Sequence, residues 1–368
     1  MGKDLILTIN PGATSTKCAL FGWEQDKVLA ISAENISHPT SELAQFRSVY
    51  SQLDYRDLAV CKFIDKHLDT NSRIIACAGR GGMLTPVPSG AIEVNEQLID
   101  FSLHKAVYEH ASNLGAPLAY RRAKKYGARA FIVDPVSVDE FAPVARISGC
   151  PDFPRFSFVH ALNIKATARK VANELKKTFY QLRCVVAHLG AGFSIAALCR
   201  GRIIDNDNRM ESGPFTPERA GGVPPIPLID ACFSGKYTKK EIMSKLYGRG
   251  GIKGYLGTKD FKQVEKRISM GDNYAQLIYE AMVYQICKEI GSMASVLEFD
   301  LDAIIITGGL ANSRRLVNDL EKRIKRLGCI WVYPGSYENE ALAQTVARVL
   351  SGREEYLTWP VTLAEGTE

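Results

Sequence analysis

Residues 4–21, DLILTINPGATSTKCALF, decide the fold of this chain. An apolar segment ends at Asn10, the turn residues Pro11 and Gly12 follow, and a second apolar segment begins at Cys18. This pattern predicts a β-hairpin. The hydroxyl groups and the lysine near its tip are groups that bind phosphate, so the sequence indicates a phosphate-binding hairpin.

The tip of this hairpin differs from a Walker P-loop, although Gly12 precedes Lys17 by five residues. A P-loop has a second glycine just before the lysine, a serine or threonine after it, and then a helix. Here Thr16 precedes Lys17, Cys18 follows it, and the next segment has the pattern of a strand. The sequence therefore predicts a phosphate-binding tip of another kind.

The composition is that of an ordinary globular protein, with 368 residues, 46% hydrophobic and 23% charged. This length predicts two domains or one large domain. No apolar run approaches the roughly 18 residues of a membrane span, and the first strand begins too early for a signal peptide. Nine scattered cysteines without a CxxC pair favour reduced thiols in a cytoplasmic protein. The net charge of +6 is spread along the chain, so a nucleic-acid surface is not indicated.

The two halves of the chain repeat one order of predicted elements. The first half has the opening hairpin and then a glycine-ended strand, RIIACAGRGG at 73–82. The second half has the hairpin CVVAHLGAGFSIAALCRGRIID at 184–205 and the glycine-ended strand DAIIITGG at 302–309. Helical periodicity is found at 57–68, 110–126, 161–179, 272–298 and 340–350. Alternating strands and helices, with tight turns between some strands, predict an α/β fold with mixed sheets.

Glycine-rich turns follow four predicted strands. A residue without Cβ lets backbone N–H groups approach a phosphate closely. Gly190-Ala191-Gly192 alone is equally well explained as a plain hairpin turn, and Gly308-Gly309 as a plain strand-to-helix turn. Four such turns in one chain favour nucleotide binding.

Two arginines lie in irregular, glycine-rich segments. Arg80 directly follows a buried strand, and Arg219 lies in GPFTPERAGG at 213–222. The donor fork of an arginine can stabilise a phosphoryl group during transfer. A surface salt bridge is the alternative explanation, and the glycine and proline context favours a functional role.

Three further polar residues lie at the ends of predicted apolar segments. His160 and His188 are each compatible with a hydrogen-bonded core histidine as well as with a catalytic role, and neither has metal-ligand spacing to another His or Cys. Asp134 follows a strand that Pro135 ends. This carboxylate is a candidate contact for Mg²⁺ or substrate, with a helix cap as the alternative.

Ten collinear motifs resemble the acetokinase family of the actin, hexokinase and Hsp70-like ATPases, and within it the butyrate kinases. They are TINPGATSTK, GRGG, EVNEQL, VDPVSVDE, ARISG, HALNIKA, HLGAG, GPFTPERAGG, GYLGTKDF and ITGGLANS. The resemblance implies duplicated actin-like, ribonuclease H-like domains with mixed five-stranded sheets around a cleft. The implied domains are residues 1–158 plus 338–368, and residues 159–337.

The resemblance also implies roles for individual residues. Those on the phosphates and the transferred phosphoryl group are Asn10, Ser15, Lys17, Arg80, Arg219, His160 and His188. Those on the nucleotide are Gly190, Gly192, Phe261, Gly308, Gly309, Leu310 and Asn312. Those on Mg²⁺, directly or through water, are Asn10, Asp134 and Glu340. Three positions depart from the usual family pattern: Ala13, Ala191 and Val159.

The activity implied is reversible transfer of the γ-phosphoryl group of ATP to butyrate by direct in-line attack, at the end of a fermentative pathway. A fatty acid has a pKa near that of Glu, about 4.3, and is ionised at neutral pH. Such a site needs positive charge rather than a strong base, which agrees with the two arginines, two histidines and one lysine. Acetate, propionate or a branched acid such as isobutyrate are alternative substrates, and an actin- or Hsp70-like ATPase switch is an alternative class. The resemblance further implies a cytoplasmic homo-oligomer.

Overall fold

The computed structural model describes residues 3–24, 27–208 and 212–361. They form two compact units. The first unit contains the described residues up to Glu140, Ala161–Ala166, and the described residues from Tyr337 onward. The second unit contains Phe141–His160 and Thr167–Ser336, within the described ranges. Across these ranges, no helix has the length and apolar character needed to cross a membrane.

The described ranges contain the following strands and α-helices. The strands are β1 (Asp4–Pro11), β2 (Ser15–Glu24), β3 (Lys27–Ser37), β4 (Arg73–Arg80), β5 (Ala91–Glu93), β6 (Arg129–Val133), β7 (Arg183–Leu189), β8 (Phe193–Cys199), β9 (Arg202–Asn206), β10 (Ala303–Gly308), β11 (Ile330–Pro334) and β12 (Tyr356–Thr358). The α-helices are α1 (Thr40–Leu43), α2 (Leu53–His67), α3 (Glu96–Asp100), α4 (Gly115–Tyr126), α5 (Ala161–Glu174), α6 (Pro225–Phe233), α7 (Lys239–Leu246), α8 (Gly251–Leu256), α9 (Phe261–Ser269), α10 (Asn273–Val296), α11 (Arg314–Ile324) and α12 (Glu338–Leu350).

The sheet of the first unit has the strand order β12-β5-β6-β4-β1-β2-β3. Its central strand β1 is apolar on both faces because helices cover both faces, as is usual for buried parallel strands. Leu7 on one face belongs to the same buried cluster as Phe63 of α2 and Leu118 of α4. Ile6 on the other face belongs to a cluster with Leu342 of α12. The apolar run that opens the chain is therefore the centre of this core.

The sheet of the second unit has the order β11-β10-β7-β8-β9. Val185 of β7 and Ile304 of β10 share a buried cluster with Ile286 of the long helix α10 and Leu316 of α11. In both units an antiparallel meander (β1-β2-β3 and β7-β8-β9) is extended by two parallel strands, β4 and β6 or β10 and β11. The two units therefore share one topology, β3-β2-β1-β4-β6 and β9-β8-β7-β10-β11.

These sheets confirm the predicted α/β class with duplicated, ribonuclease H-like units and mixed sheets. The predicted strand number is correct for the second sheet and wrong for the first, which has seven strands. The two extra strands, β5 and β12, are three residues long and pair in parallel at the far edge. Asn95 Nδ2 donates to Trp359 O at 2.7 Å and fastens this edge. Strands of three residues are too short to show an apolar alternation in the sequence.

The predicted helix boundaries differ at several ends from those in the structure. The helix predicted at 161–179 ends at Glu174 in the structure, because Lys176 has a left-handed backbone with φ of 55°. The pair Asn312-Ser313 also predicts a helix cap, for a helix that would end at Gly328. Ser313 does cap α11, its Oγ accepting from Leu316 N at 3.0 Å, but the helix ends at Ile324. The last helix begins two residues earlier than predicted, at Glu338.

Candidate active site

The C-terminal ends of three parallel strands bring polar residues of the first unit together. Asn10 is the second-last residue of β1, and Arg80 is the last residue of β4. Arg80 pairs with Val133, the residue before Asp134, at the end of β6. Parallel strands end at the same edge of a sheet, so Asn10, Arg80 and Asp134 lie along one edge, where ligands bind in α/β proteins.

Glu338, the first residue of α12, joins this edge. Asn10 Nδ2 donates to Glu338 Oε2 at 2.7 Å. Arg80 Nη1 lies 3.4 Å from Glu338 Oε1 and 3.5 Å from Asn10 Oδ1. Glu338 is only 7% exposed. A buried carboxylate thus holds the amide and the guanidinium in place, and the sequence reasoning did not identify it.

Glu340, the predicted metal contact, lies two residues further along α12. Residues two positions apart in an α-helix are separated by about 200° around its axis. The side chains of Glu338 and Glu340 therefore leave α12 on different sides. Glu340 Oε1 accepts from Gln344 Nε2 at 2.9 Å. The role of Glu340 stays a prediction. The resemblance implied Glu340 for this role, and Glu338 lies in the same acidic first turn of α12.

Asp134 has an unusual backbone for a residue with a side chain, with φ of 39°. Its amide donates to Gly90 O at 3.0 Å, and its Oδ1 accepts from Gly90 N at 2.8 Å. Positive φ at a non-glycine residue is often found at functional sites. The reciprocal pair of hydrogen bonds fixes the Asp134 carboxylate at the sheet edge.

The oxygen atoms of Asn10, Asp134 and Glu338 are the hard ligands that Mg²⁺ prefers. Across the described ranges, no three His, Cys, Asp or Glu side chains are grouped closely enough to hold a metal by themselves. Mg²⁺ is usually held by one or two protein oxygens together with water and substrate phosphates.

The β1–β2 hairpin places the predicted phosphate ligands on one side. Asn10 and Lys17 are direct cross-strand partners, so their side chains lie on the same face. Ser15 is two residues before Lys17 on β2 and therefore shares this face. The strand that follows Lys17 confirms the prediction that the tip is not a P-loop.

A fully buried arginine lies behind this tip. Arg56 of α2 donates through Nη1 to Gly12 O at 2.9 Å and to Ser15 O at 3.2 Å. Its Nη2 donates to Ala13 O at 3.2 Å. Burial lowers the pKa of Arg56 from its usual value. Ala13, one of the three positions that depart from the family pattern, thus contributes its backbone carbonyl to the fixed tip.

His38 completes the support of the tip. Thr16 Oγ1 lies 2.8 Å from His38 Nε2 and accepts from Arg56 Nη1 at 3.2 Å. Because the Thr16 hydroxyl accepts from Arg56, its proton is available to His38, which fits an unprotonated Nε2. Burial and the Arg56 charge lower the pKa of His38 to about 4, and the charge of Glu42 opposes this shift.

In the second unit, two histidines stack where β7 ends. The rings of His160 and His188 are 4.2 Å apart between centroids and inclined by 19°. His160 Nδ1 lies 2.8 Å from Ser194 Oγ, and Ser194 is the cross-strand partner of His188. An ideal Cβ on Gly190 would lie 3.3 Å from His188 Nε2, so the glycine tip comes directly beside this ring.

Arg219 lies against the same glycine tip. Thr216 Oγ1 accepts from Arg219 N at 3.1 Å and donates to Ala191 O at 2.9 Å, which fastens the arginine loop to the tip. A Cβ on Gly192 would lie 2.7 Å from Arg219 Nη1. This Nη1 is buried and has no hydrogen-bond partner in the described part of the chain. Burial lowers the pKa of the Arg219 guanidinium.

An unpaired buried donor on a cation is costly and is usually explained by a missing partner. An anionic oxygen is the partner with which a guanidinium forms its strongest hydrogen bonds. The second unit therefore brings together His160, His188 and Arg219 around the tip Gly190–Gly192, and the arrangement suits a phosphoryl group.

The predicted adenosine residues follow β10. Gly308 has φ of 93°, and a Cβ there would lie 2.3 Å from Leu189 O, so only glycine fits between the two strand ends. The next turn, Gly309–Asn312, is a 3-10 helix in which Asn312 Nδ2 donates to Gly309 O at 2.9 Å. Phe261 is the first residue of α9, and its partly buried ring lies 6.0 Å from that of Tyr279.

The five-strand order that the two sheets share, with glycine turns at strand ends, is that of the actin-like ATPase fold. The chain belongs to the acetokinase family, whose model matches residues 155–348. This confirms the family expected from the ten motifs.

The chain is similar to two named relatives over nearly its full length. It is 44% identical to "Probable butyrate kinase 2" of Caldanaerobacter subterraneus subsp. tengcongensis, over 95% of this chain and 98% of that protein. It is 42% identical to "Butyrate kinase 2" of Clostridium acetobutylicum, over 96% of this chain and 98% of that protein. The fold is that of acetate kinase from Porphyromonas gingivalis, with a TM-score of 0.75 at 16% identity, covering 95% of this chain and 99% of that chain.

The predicted roles of the individual site residues stay predictions. The structure brings Asn10, Ser15 and Lys17 to one face of the first hairpin, and His160 and His188 into a stack. The sequence reasoning missed the supporting residues, which are Arg56, His38, Ser194, Thr216 and Glu338.

The His38 environment predicts how stability depends on pH. The pKa of His38 is about 4 in the folded chain, against an ordinary histidine pKa of 6.5, so the unfolded chain binds more protons between these pH values. The contribution of His38 is therefore fully present above pH 6.5 and is lost as the pH falls towards 4. We expect His38→Gln, which keeps an acceptor for Thr16, to flatten this part of the pH profile of urea unfolding.

The control is His104→Gln, a change at an exposed histidine of the same unit. It should keep the wild-type pH profile. An unchanged profile in His38→Gln would show that His38 is protonated equally in the folded and unfolded chains.

Proposed function

We propose that this chain catalyses the reversible phosphorylation of butyrate by ATP to give butyryl phosphate and ADP. The observation that carries the proposal is the buried, unpaired Arg219 Nη1 against the same glycine tip that lies beside the stacked histidines. The near-full-length similarity to the two butyrate kinase relatives supports butyrate as the acceptor acid. Carboxylate kinase chemistry is also the activity of the acetokinase class.

The chemistry needs cations rather than a base. Butyrate is ionised at neutral pH, so its carboxylate oxygen can attack the γ-phosphorus with no proton to remove. A new P–O bond forms to butyrate as the P–O bond to ADP breaks, and the negative charge moves to the β-phosphate of ADP. Arg219 and the histidines would donate to the equatorial oxygens of the phosphoryl group, where charge is spread during transfer.

The groups of the first unit would bind anionic oxygens of the substrates. Lys17 and Ser15 would donate to phosphate from the hairpin face. Arg80, held by Glu338 and Asn10, has a fork suited to a carboxylate or phosphate. We also propose that the functional domains are residues 1–158 plus 338–368, and residues 159–337.

We propose that Mg²⁺ is the resident metal. Asp134, Asn10 and either Glu338 or Glu340 would hold it, partly through water, because they supply hard oxygen ligands at the sheet edge. When bound, the ion neutralises phosphate charge. A cytoplasmic location is supported by the nine cysteines, all free thiols, which are typical of a reducing compartment.

A panel of acids tests the proposed function. Purified protein, ATP and Mg²⁺ are incubated with straight acids from C2 to C6 and with isobutyrate, and acyl phosphate is trapped as the hydroxamate. We expect kcat/KM to be highest for butyrate. A maximum at C2 or at isobutyrate would contradict the butyrate assignment. If none of the acids gives acyl phosphate while ATP is still hydrolysed, the result would favour an ATPase switch.

Variants of Arg219 and its neighbour test the role of the guanidinium. We expect Arg219→Ala to lower kcat by about 10²–10³-fold, as for removal of a preorganised donor to a transition state. Gly192→Ala should leave the fold intact and push the flexible guanidinium aside, lowering kcat by up to about 100-fold.

The matched control is Gly149→Ala, because a Cβ there meets nothing within 4 Å. It should keep wild-type kinetics. Wild-type turnover in Arg219→Ala would remove Arg219 from the mechanism.

A homo-oligomer is supported by helix α6, none of whose residues is buried. Ile226, Ile229 and Phe233 follow the spacing of one helix face, and Phe233 is 86% exposed. Apolar faces of this kind are typical of interaction surfaces.

We expect the wild type to have at least the mass of a dimer in light scattering, and Phe233→Asp to shift it towards the monomer. Met270→Asp places the same charge on an exposed apolar residue of this unit and should leave the mass unchanged. A monomeric wild type would contradict the proposal.

A further inference from the structure

Arg56 is a buried cation outside the groups that the proposed chemistry uses. It is 0% exposed, although arginine is almost never fully buried without a charged partner. Its six hydrogen bonds go to neutral oxygens: three backbone carbonyls, the Thr16 hydroxyl, and Gln52 Oε1 twice, at 2.9 and 3.0 Å. No carboxylate lies among these acceptors, so the guanidinium keeps its full positive charge behind the tip.

The hydrogen bonds of Arg56 orient the peptide groups of the tip. In a trans peptide the N–H points opposite to the C=O. The carbonyls of Gly12 and Ala13 point inward to Arg56, so the N–H groups of the same peptides, on Ala13 and Thr14, point outward. Ala13 and Thr14 are exposed. Successive N–H groups directed to the same side form a concavity that binds anions.

Arg56 also polarises these peptide groups. A carbonyl that accepts from a cation makes its own N–H a stronger donor, because hydrogen bonds in a chain strengthen one another. In the buried surroundings of Arg56 this effect and the direct field of its charge are less screened than in water.

We propose that Arg56 is a positioning residue for the phosphate-binding tip, Gly12 to Thr16. It holds the carbonyls inward so that the outward N–H groups of Ala13 and Thr14 bind a phosphate of the substrate, and its charge strengthens that binding. This inference rests on the proposed function, since the phosphate belongs to ATP or to the acyl phosphate.

The test compares Arg56→Met with Arg122→Met. Arg122 of α4 is also a buried arginine, but its donors go to the Asp57 carboxylate and the Cys61 sulfur of α2, at 2.8 and 2.7 Å. Each change removes one buried guanidinium, so both should lower the urea midpoint. We expect only Arg56→Met to lower kcat, by about 100-fold, because a misplaced substrate group costs that much. Equal kcat in the two folded variants would overturn the proposal.

Gln52→Glu separates the charge from the geometry. The glutamate keeps the two acceptor contacts to Arg56 and adds a negative charge beside the guanidinium. We expect the KM for ATP to rise and the hydrogen exchange of the tip amides to stay as in the wild type. An unchanged KM for ATP would overturn the contribution of the charge.

Hydrogen exchange of the tip amides tests the positioning role of Arg56 independently of enzyme turnover. We expect the amides of residues 12–16 to exchange faster in Arg56→Met than in Arg122→Met, and equal rates would overturn the positioning role. If Arg56→Met does not fold, Arg56→Lys replaces it, since one ammonium group cannot span the three carbonyls. A wild type that phosphorylates no acid would contradict the proposed function, while the exchange result would still decide the role of Arg56.

Discussion

Parallel pairing of the central strands is the constraint on which the site depends. β1 pairs in parallel with β4, and β4 with β6, so all three strands finish at one edge of the first sheet. β7 and β10 do the same in the second. A side chain at or next to the end of one strand is then a neighbour of its counterparts on the adjacent strands. Asn10, Arg80 and Asp134 are far apart in sequence and adjacent in the sheet for this reason alone.

The distribution of charge follows from the reaction of two anions. Arg80 is paired with the Glu338 carboxylate, which fixes the guanidinium and offsets its positive charge. Arg56 donates to neutral oxygens, and Arg219 has an unpaired nitrogen. The positive charge of each therefore remains for a ligand. Desolvation of a lone cation is unfavourable for folding. The chain therefore gives up some stability at the two tips, as is common where binding needs preorganised charge.

The sequence predicted those parts of the molecule that have strong local signals. The hairpins, the glycine-ended strands and the capped helices each have a pattern of turn residues or periodicity, and their repeated order predicted the two-unit fold. Arg56 could not be identified in this way, because the polar positions of α2 do not show which charged side chain turns inward. Glu338 was missed because it is the first residue of α12, and the ends of helices are uncertain by one or two residues. The β5–β12 edge depends on contacts between distant segments that no local pattern reports.

Helix α12 also affects the order in which the chain can fold. Its residues Leu342 and Val346 fill the face of the first sheet that Ile6 and Phe131 present. During synthesis on a ribosome, strands β1 to β6 of this sheet emerge roughly two hundred residues or more before the helix that covers them. One apolar face of the nascent first unit thus remains uncovered until the second unit has been made, and is open to chaperones during that interval. The first half of the sequence completes its core last.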